Sequence, residues 1–352
     1  MHPTRIPSRS LAACGLLFAG ILAASCGGSE ATSPLEAPLG LKGKIELVTN
    51  AENPLTEAKA ELGKVLFFDK RLSGTGQMSC NTCHLHEHGW TDGKQFSPKD
   101  DGSLNFRNTP TMYNVGYLEK LYWDGRANVL EKNVEAAWKA QMIVKGTPEE
   151  QDAKIVQISE GLNAVPAYAK MFQDAFQAKA SKDNVVQALA SFLRTLQSGN
   201  SAYDRWQAGD RTAVNNDIIE GHELFTGKAG CNNCHILPLF TNRGFHNVGI
   251  GMAKENPDIG AGKPTNDPSK RGAFKTPGLR SVSKTAPYFH DGSVATLEEA
   301  IALMAGGGLD VPGNTKDVLL VDRKLTKDEI GKIAAFLRSL DSTEPFVAPK
   351  VP

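Results

Sequence analysis

Apolar residues along this chain recur mostly at spacings of three and four, which is the period of an amphipathic α-helix. The apolar positions follow this spacing from Val185 to Leu196. Thr326 and Glu329 form a capping box ahead of a further apolar run that ends at Leu340, and this pattern predicts a C-terminal packing helix. Strand patterns are poor. The sequence therefore predicts a mainly α fold.

Two short helices are predicted at corresponding places in the two halves of the chain. Thr56 can cap a helix that carries Leu62 and Leu66, and the segment 218–225 has the same pattern. Each helix leads into a pentapeptide with the arrangement Cys-x-x-Cys-His. Loops rich in Gly and Pro lie between the predicted helices, and the loop 249–272 is too long for a simple connection. The chain therefore contains an internal repeat with long loops, which we expect to wrap over bound groups.

The repeated pentapeptide has the spacing of a c-type haem attachment site. Two cysteines three residues apart lie on one face of a helical turn, so each can form a thioether to a haem vinyl group while the next histidine ligates the iron. A four-cysteine zinc site is the alternative, but zinc does not require a histidine after both pairs. We therefore predict two covalently bound haem c groups. The residues that hold them are Cys80, Cys83 and His84 in the first motif and Cys231, Cys234 and His235 in the second.

The length of the chain indicates its domain organisation, and its charge bears on the kind of partner. The 352 residues suggest two domains, and we expect one haem in each: an N-terminal haem domain over 45–205 and a C-terminal one over 206–352. Lys and Arg together number 39, as do Asp and Glu, so the formal net charge is zero and gives no sign of a nucleic-acid partner.

The N-terminus has the pattern of a bacterial export signal. Arg5 and Arg9 precede an apolar run over 11–24, and small residues stand just before Cys26, as they do in a lipobox. We expect a lipoprotein-type signal peptide over 1–25, a lipid anchor at Cys26 and a flexible tether over 26–44, with ordinary signal cleavage as the alternative. Export to the periplasm agrees with covalent haem attachment. No later segment approaches 18 uninterrupted apolar residues, so we expect the rest of the chain to be soluble.

Six further segments resemble bacterial di-haem cytochrome c peroxidases and the related MauG enzymes. Together with the two haem motifs they extend the resemblance over nearly the whole chain after the signal. The matching segments are 62–69, 89–93, 107–111, 123–127, 275–280 and 285–292.

The resemblance implies that the two haems have different tasks. The N-terminal haem is the peroxide site in this family, and the C-terminal haem receives electrons. Met304 is the expected second iron ligand opposite His235, because Thr296 and Glu299 cap a short helix that carries it. A methionine ligand raises the reduction potential relative to a second histidine. MauG enzymes carry tyrosine there, and Met252 is the nearby rival.

The resemblance also implies an electron path, a metal ion and partners. Trp123 matches a tryptophan that lies between the two haems and carries electrons. Asn108, Thr285 and Pro287 match positions that hold calcium, and oxygen atoms of these types are suitable ligands. The expected partners are hydrogen peroxide and a small cytochrome c or cupredoxin as electron donor. Family members are often homodimers.

The first haem departs from the family pattern at its second ligand. Typical members carry a histidine where this chain has Asp100. His86 and His88 are too near His84 in sequence to reach the opposite haem face, and we expect them at the surface. The resemblance therefore implies an open first haem, as in the MauG branch.

The second departure concerns proton transfer. Family members have a glutamine and a glutamate at the positions of Asn133 and Ile143, and isoleucine cannot carry a proton. A small alignment shift would bring Gln141 into this pocket, and a different helix register would bring Glu135. Three functions remain open: a peroxidase, a di-haem electron carrier with a degenerate peroxide site, and a MauG-like oxidant of a protein partner. Met304 argues against the third.

Overall fold

Helices make up most of the ordered secondary structure in the computed structural model of the protein, which describes residue 1 and residues 35–352. The prediction of a mainly α fold is confirmed. The signal peptide and Cys26 lie outside the described residues. In chain order, the α-helices of the described part are α1 (Glu57–Phe67), α2 (Leu130–Met142), α3 (Pro148–Gly161), α4 (Pro166–Phe176), α5 (Lys182–Thr195), α6 (Ala202–Gln207), α7 (Asn216–Thr226), α8 (Gly262–Thr265), α9 (Leu297–Ala305) and α10 (Lys327–Arg338).

The N-terminal half, up to residue 205, is built around the crossing of α1 and α5. Thr56 caps α1 by accepting a hydrogen bond from the Lys59 backbone N–H, as the sequence predicts. The two helices approach closely at Gly63, where a β-carbon would lie 1.9 Å from the Ala188 carbonyl oxygen. A glycine is therefore required at this crossing. Most buried apolar residues of this half form one hydrophobic cluster drawn from residues 62–196.

The C-terminal half, from residue 206, repeats this arrangement with α7 and α10. Gly221 of α7 stands at the crossing, and a β-carbon there would lie 2.0 Å from the Lys332 carbonyl oxygen. The predicted capping box of Thr326 and Glu329 starts α10. A second cluster drawn from residues 203–340 surrounds the crossing. All described residues from Leu35 onward belong to one compact unit.

Two short strands lie in the C-terminal half, and the sequence pattern did not reveal them. β1 (Phe245–Asn247) pairs antiparallel with β2 (Ala273–Lys275), so that Phe245 lies opposite Lys275. The segment 249–272 joins them and contains only α8 and one 3₁₀ turn. The prediction of a long loop here is largely confirmed.

The last residues of the chain return to the N-terminal half. We call the segment 341–352 the C-terminal tail. The Phe346 ring lies 4.8 Å from that of Trp90 and stacks on Phe68 at 5.9 Å. The Arg71 guanidinium donates a hydrogen bond to the Pro352 carbonyl at 2.6 Å. The tail therefore closes part of the first hydrophobic cluster. Within the described residues no helix has the length and apolarity needed to span a bilayer.

Candidate haem-binding site

Both Cys-x-x-Cys-His motifs line a single cavity of about 530 Å³. Each motif begins as a 3₁₀ turn, Cys80–Thr82 in the N-terminal half and Cys231–Asn233 in the C-terminal half. The four cysteines of the motifs are not joined in disulfides. Burial raises the pKa of the Cys80 thiol to about 12 and that of Cys231 to about 11, so both remain protonated at neutral pH. All four sulfur atoms are therefore available for thioether bonds.

The two motif histidines are held by the same device. His84 Nδ1 lies 2.9 Å from the Trp90 carbonyl oxygen, and His235 Nδ1 lies 2.9 Å from that of Phe240. Because a carbonyl only accepts, Nδ1 must be the donor, and Nε2 keeps the lone pair that an iron ion needs. Burial lowers the pKa of both rings, that of His235 to about 4, which keeps the imidazoles neutral.

Both acceptor residues have left-handed backbone geometry, with φ of 64° at Trp90 and 56° at Phe240. Residues with large side chains rarely adopt this conformation. The turn directs each carbonyl back toward the histidine that precedes it. The same left-handed turn follows both motifs, so the internal repeat seen in the sequence also holds for the way each histidine is oriented.

An unpaired cation in the cavity wall also suits a haem. Lys275 of β2 lines the cavity, and its side-chain ammonium has no hydrogen-bond or ion-pair partner among the described residues. Burial lowers the pKa of its ammonium to about 8. A buried ammonium needs a counter-ion, and a haem propionate is a carboxylate that could supply it. The cavity therefore offers four thiols, two neutral imidazoles and the unpaired Lys275 ammonium, which is a donor set that fits two c-type haems.

Met304 lies on the face of α9 that lines the cavity. The cavity-lining residues of this helix have the three- and four-residue spacing of one helical face, and they are Leu297, Ala300, Ile301, Met304 and Ala305. Thr296 and Glu299 form the predicted capping box, and Gly306 ends the helix. The rival Met252 is buried but does not line the cavity. Met304 is thus the methionine of the C-terminal half that could reach an iron ion in the cavity.

Trp123 stands where the two halves meet in the cavity wall. Its indole N–H donates a hydrogen bond to the Asn108 carbonyl at 2.9 Å, and its own carbonyl accepts one from the Lys275 N–H at 2.8 Å. The next residue, Asp124, accepts a hydrogen bond from Arg107, whose guanidinium also binds Asp258 of the C-terminal half at 2.6 Å. These bonds tie Trp123 to residues of both halves.

One face of α2 also lines the cavity and includes Asn133 and Gln141. The Gln141 side-chain oxygen is buried and has no hydrogen-bond partner. Ile143 lies just beyond the last residue of α2 and is outside the cavity wall. Glu135 pairs with Lys182 at 2.9 Å and is likewise outside it. The residues that α2 gives to the cavity are therefore amides and apolar side chains.

Asp100, His86 and His88 do not line the cavity. Asp100 accepts hydrogen bonds from the backbone N–H and the hydroxyl of Thr75. His88 is exposed, whereas His86 is half-buried with its ring 5.0 Å from that of Phe346. Three methionines of the N-terminal half do line the cavity, and all belong to or pack against the first hydrophobic cluster: Met78, Met112 and Met142.

The expected calcium ligands Asn108, Thr285 and Pro287 also lie in the cavity wall. Asn108 is buried, and its side-chain amide donates to the Lys94 carbonyl at 2.9 Å. Thr285 donates through its hydroxyl to the Val282 carbonyl. All three residues therefore line the cavity that both haem motifs share.

Three cavity residues with polar or charged side chains were not predicted from the sequence: Lys275, Tyr122 and His246. Lys275 begins the segment 275–280 and Tyr122 directly precedes the segment 123–127, so the family resemblance is a sequence signal for both positions. The third, His246, is bonded through Nδ1 to Asp317 at 2.6 Å. Hydrogen bonds with the Cys234 sulfur and Asp317 raise the pKa of His246 to about 9. No motif marks His246 or Asp317, and only the fold brings them together.

Comparisons with known proteins agree with this geometry. A family model for di-haem cytochrome c peroxidase matches residues 57–212. The chain is 34% identical to cytochrome-c peroxidase IdrP1 of Denitromonas iodatirespirans, over 94% of this chain and 93% of that protein. It is 38% identical to the methylamine utilization protein MauG of Methylorubrum extorquens, over 82% of this chain and 79% of that protein.

A solved structure has a similar fold. The crystal structure of a MauG-like protein associated with microbial copper homeostasis superposes with a TM-score of 0.77 at 31% identity, and the match covers 86% of this chain and 95% of the other. Identity at this level over most of the length of several relatives is decisive. The chain belongs to the di-haem cytochrome c peroxidase family, whose members carry two covalently bound haem c groups.

Proposed function

We propose that this protein reduces hydrogen peroxide to water at the haem of His84 and receives the electrons through the haem of His235. The observation that carries this proposal is the single cavity lined by both motifs, with Trp123 hydrogen-bonded to residues of both halves. An aromatic side chain held between two haems is suited to passing electrons between them. When bound, the haems supply the redox chemistry, in which one peroxide takes two electrons and two protons and leaves as two waters.

The cavity residues of each half support this assignment of the peroxide site and the electron-entry site. Met304 lies on the cavity face of α9 in the C-terminal half, where it suits a closed, high-potential haem that accepts electrons. In the N-terminal half His84 is the one described histidine that lines the cavity. A haem there would therefore lack a second histidine and offer its open side to peroxide.

The haem domains are proposed to be 45–205 and 206–352, a division that the two separate hydrophobic clusters support. The electron donor is proposed to be a small cytochrome c or a cupredoxin. Such donors belong to the periplasm, where the predicted signal over 1–25 would deliver the chain and lipid on Cys26 would anchor it.

Calcium is the further ion that we propose, with Asn108, Thr285 and Pro287 among its ligands. Support comes from the burial of Asn108 and from the place of all three residues in one cavity wall. Both hydrogen bonds of the Asn108 side chain use its nitrogen, which leaves the amide oxygen as a metal ligand.

An electron carrier without peroxidase activity is the second candidate function. The observation that favours it is the composition of the α2 face, where Asn133 and Gln141 offer amides in place of a carboxylate. An amide can orient peroxide but cannot exchange a proton at neutral pH, and loss of general acid catalysis costs about a hundredfold or more.

One assay separates these two functions. The purified di-haem protein is mixed with reduced cytochrome c, and oxidation of the cytochrome is followed with and without peroxide. A peroxidase gives peroxide-dependent turnover well above that of free haem. His84→Gly, which removes the ligand of the peroxide haem, is the control and should abolish this turnover. Turnover no faster than that of free haem in the unmodified protein would overturn the peroxidase proposal and leave the carrier.

A further inference from the structure

Carboxylates are almost absent from the cavity that would hold the haems. Among the described residues of the cavity wall, Asp317 is the only carboxylate. It is bonded to His246, which also interacts with Cys234 of the second motif. Asp317 therefore belongs to the electron-entry side, and the proton needed for peroxide cleavage must come from another group.

Tyr122 carries a hydroxyl on the α2 side of the cavity. Its phenol O–H donates a hydrogen bond to the Asn133 carbonyl at 3.3 Å, and both residues line the cavity. The residue has a φ of 63°, a left-handed conformation that is costly for an aromatic residue. Tyr122 directly precedes Trp123, so a hydroxyl and the electron-transferring indole stand side by side in the chain.

Arg126 holds the Tyr122 ring from one face. The guanidinium carbon lies 3.4 Å from the ring centroid, and the same side chain pairs with Asp124 at 2.9 Å. Burial raises the pKa of Tyr122 and outweighs the nearby Arg126 cation, which lowers it. The phenol therefore keeps its proton at neutral pH, which is the state required of a proton donor.

The neighbouring amides complete a polar patch on this wall. Asn133 and Gln141 lie eight residues apart on the same face of α2, about two turns. The Gln141 side-chain oxygen is buried without a hydrogen-bond partner, so it is free to accept a hydrogen bond from a small polar molecule in the cavity. An amide oxygen can orient peroxide, but a phenol can also release a proton.

We propose that the Tyr122 hydroxyl is the proton donor for cleavage of the peroxide O–O bond, with Gln141 orienting the substrate. This inference rests on the peroxidase function proposed above. As the bond breaks, its electron pair leaves with the outer oxygen, which takes the Tyr122 Oη proton and departs as water. The tyrosinate regains a proton from the inner oxygen. That oxygen leaves as the second water after taking up two electrons from the donor protein and two protons from solvent.

The other cavity tyrosines are placed differently. The Tyr113 ring meets Trp90 edge-on at 6.4 Å, and the Trp90 carbonyl holds His84, so Tyr113 lies on the side of the histidine ligand. The Tyr288 hydroxyl donates to the Val282 carbonyl within the second hydrophobic cluster. Tyr113 is therefore a matched control for a hydroxyl in the same cavity but away from α2.

The test compares the full di-haem protein with its Tyr122→Phe and Tyr113→Phe variants. Stopped-flow mixing with peroxide measures the cleavage rate, which Tyr122→Phe should lower about a hundredfold. Titration of the oxidised protein with fluoride gives a second readout that needs no turnover. Loss of a hydroxyl donor to the bound anion should weaken fluoride binding roughly tenfold. Tyr113→Phe should keep the rate and the fluoride affinity of the unmodified protein.

The outcomes separate this inference from the proposed function. Unchanged rate and fluoride affinity in Tyr122→Phe, with haem content and spectrum intact, would overturn the role of Tyr122 while leaving the peroxidase proposal in place. A protein that does not reduce peroxide at all would overturn the proposed function. In that case weakened fluoride binding in Tyr122→Phe alone would still identify Tyr122 as the hydrogen donor of the pocket.

Discussion

Each motif histidine is held by one hydrogen bond to a carbonyl of a left-handed residue, and the two bonds have the same length of 2.9 Å. Such a bond fixes the tautomer and orients the ring toward the metal. Because the Trp90 and Phe240 carbonyls hold His84 and His235 alike, we expect other cavity residues to make the two haems different. Met304 on one side and the Tyr122 hydroxyl on the other are the side chains that could make this difference.

Met304→Ala tests the second ligand. We expect the variant to lose the low-spin, methionine-type spectrum of one haem while the spectrum of the other haem stays unchanged. The reason is that α9 presents Met304 to the cavity and no other methionine of the C-terminal half lines it. Absorption and magnetic resonance spectra of the oxidised protein measure this.

Met252→Ala is the matched control, because Met252 is a buried methionine of the same half that lies outside the cavity wall. It should leave both haem spectra unchanged. An unaltered spectrum in Met304→Ala, or loss of the methionine signal in Met252→Ala, would contradict the assignment of Met304.

At the residue scale, the sequence predicted whatever depends on local spacing. The haem cysteines and histidines are adjacent in the chain, so two pentapeptides were enough to find them. Tyr122 and Lys275 were not predicted, because what distinguishes them depends on the folded chain. Tyr122 donates a hydrogen bond to the Asn133 carbonyl, and the buried Lys275 ammonium has no counter-ion. Burial and unpaired charge are properties of the folded chain and leave no periodic pattern.

At the scale of elements, capping residues predicted the helices well. Thr56, Thr296 and Thr326 each accept a hydrogen bond from the third residue of the helix that follows. The end of α2 was not predicted. The chain leaves the helix after Met142, so the family glutamate position falls on Ile143 outside the cavity. β1 and β2 were missed because strands of three residues are too short to show alternation.

An ion pair joins α2 to α5 inside the N-terminal half. Glu131 accepts hydrogen bonds from Arg194 at 2.6 Å and from Asn53 at 2.8 Å. Burial would raise the pKa of Glu131, but the bonds from Arg194 and Asn53 outweigh it and lower the pKa to about 2. A carboxyl with a depressed pKa stabilises the fold above its ordinary pKa of 4.5, and this stability is lost as pH falls toward 2.

Glu131→Gln should therefore destabilise the protein at neutral pH by about 3 kcal/mol or more, since it leaves the buried Arg194 cation without its partner. The difference in free energy of unfolding between variant and unmodified protein should shrink between pH 4.5 and 2. Urea titrations at several pH values measure it.

The control for this prediction is Asp174→Asn, which breaks an exposed pair with Lys170 on one helix and should change stability by about 0.5 kcal/mol or less. A pH-independent loss of stability in Glu131→Gln would show that the pair itself is not responsible.

For the molecule as a whole, the C-terminal tail links the end of the chain to the N-terminal haem site. Phe346 packs on Trp90, whose carbonyl holds His84. The Lys64 ammonium lies over the Phe346 ring, 5.2 Å from its centroid. Phe346→Ala should lower the free energy of unfolding by roughly 2 kcal/mol, as expected for a partly buried aromatic side chain of this size. Urea unfolding measures the loss.

The same variant should perturb the spectrum of the His84 haem and leave that of the His235 haem unchanged, because Phe346 packs against the first hydrophobic cluster and not the second. Val347→Ala, at an exposed position next to Phe346, is the control and should alter neither stability nor spectrum. Equal changes at both haems in Phe346→Ala would contradict a local role for the tail.

The glycine crossings carry a consequence for the ancestry of the molecule. Gly63 meets the Ala188 carbonyl and Gly221 meets the Lys332 carbonyl at nearly the same hypothetical β-carbon distance, 1.9 Å and 2.0 Å. In each half the crossing helix is the α-helix that precedes the haem motif. Such a shared arrangement is what duplication of a single-haem cytochrome gene would leave.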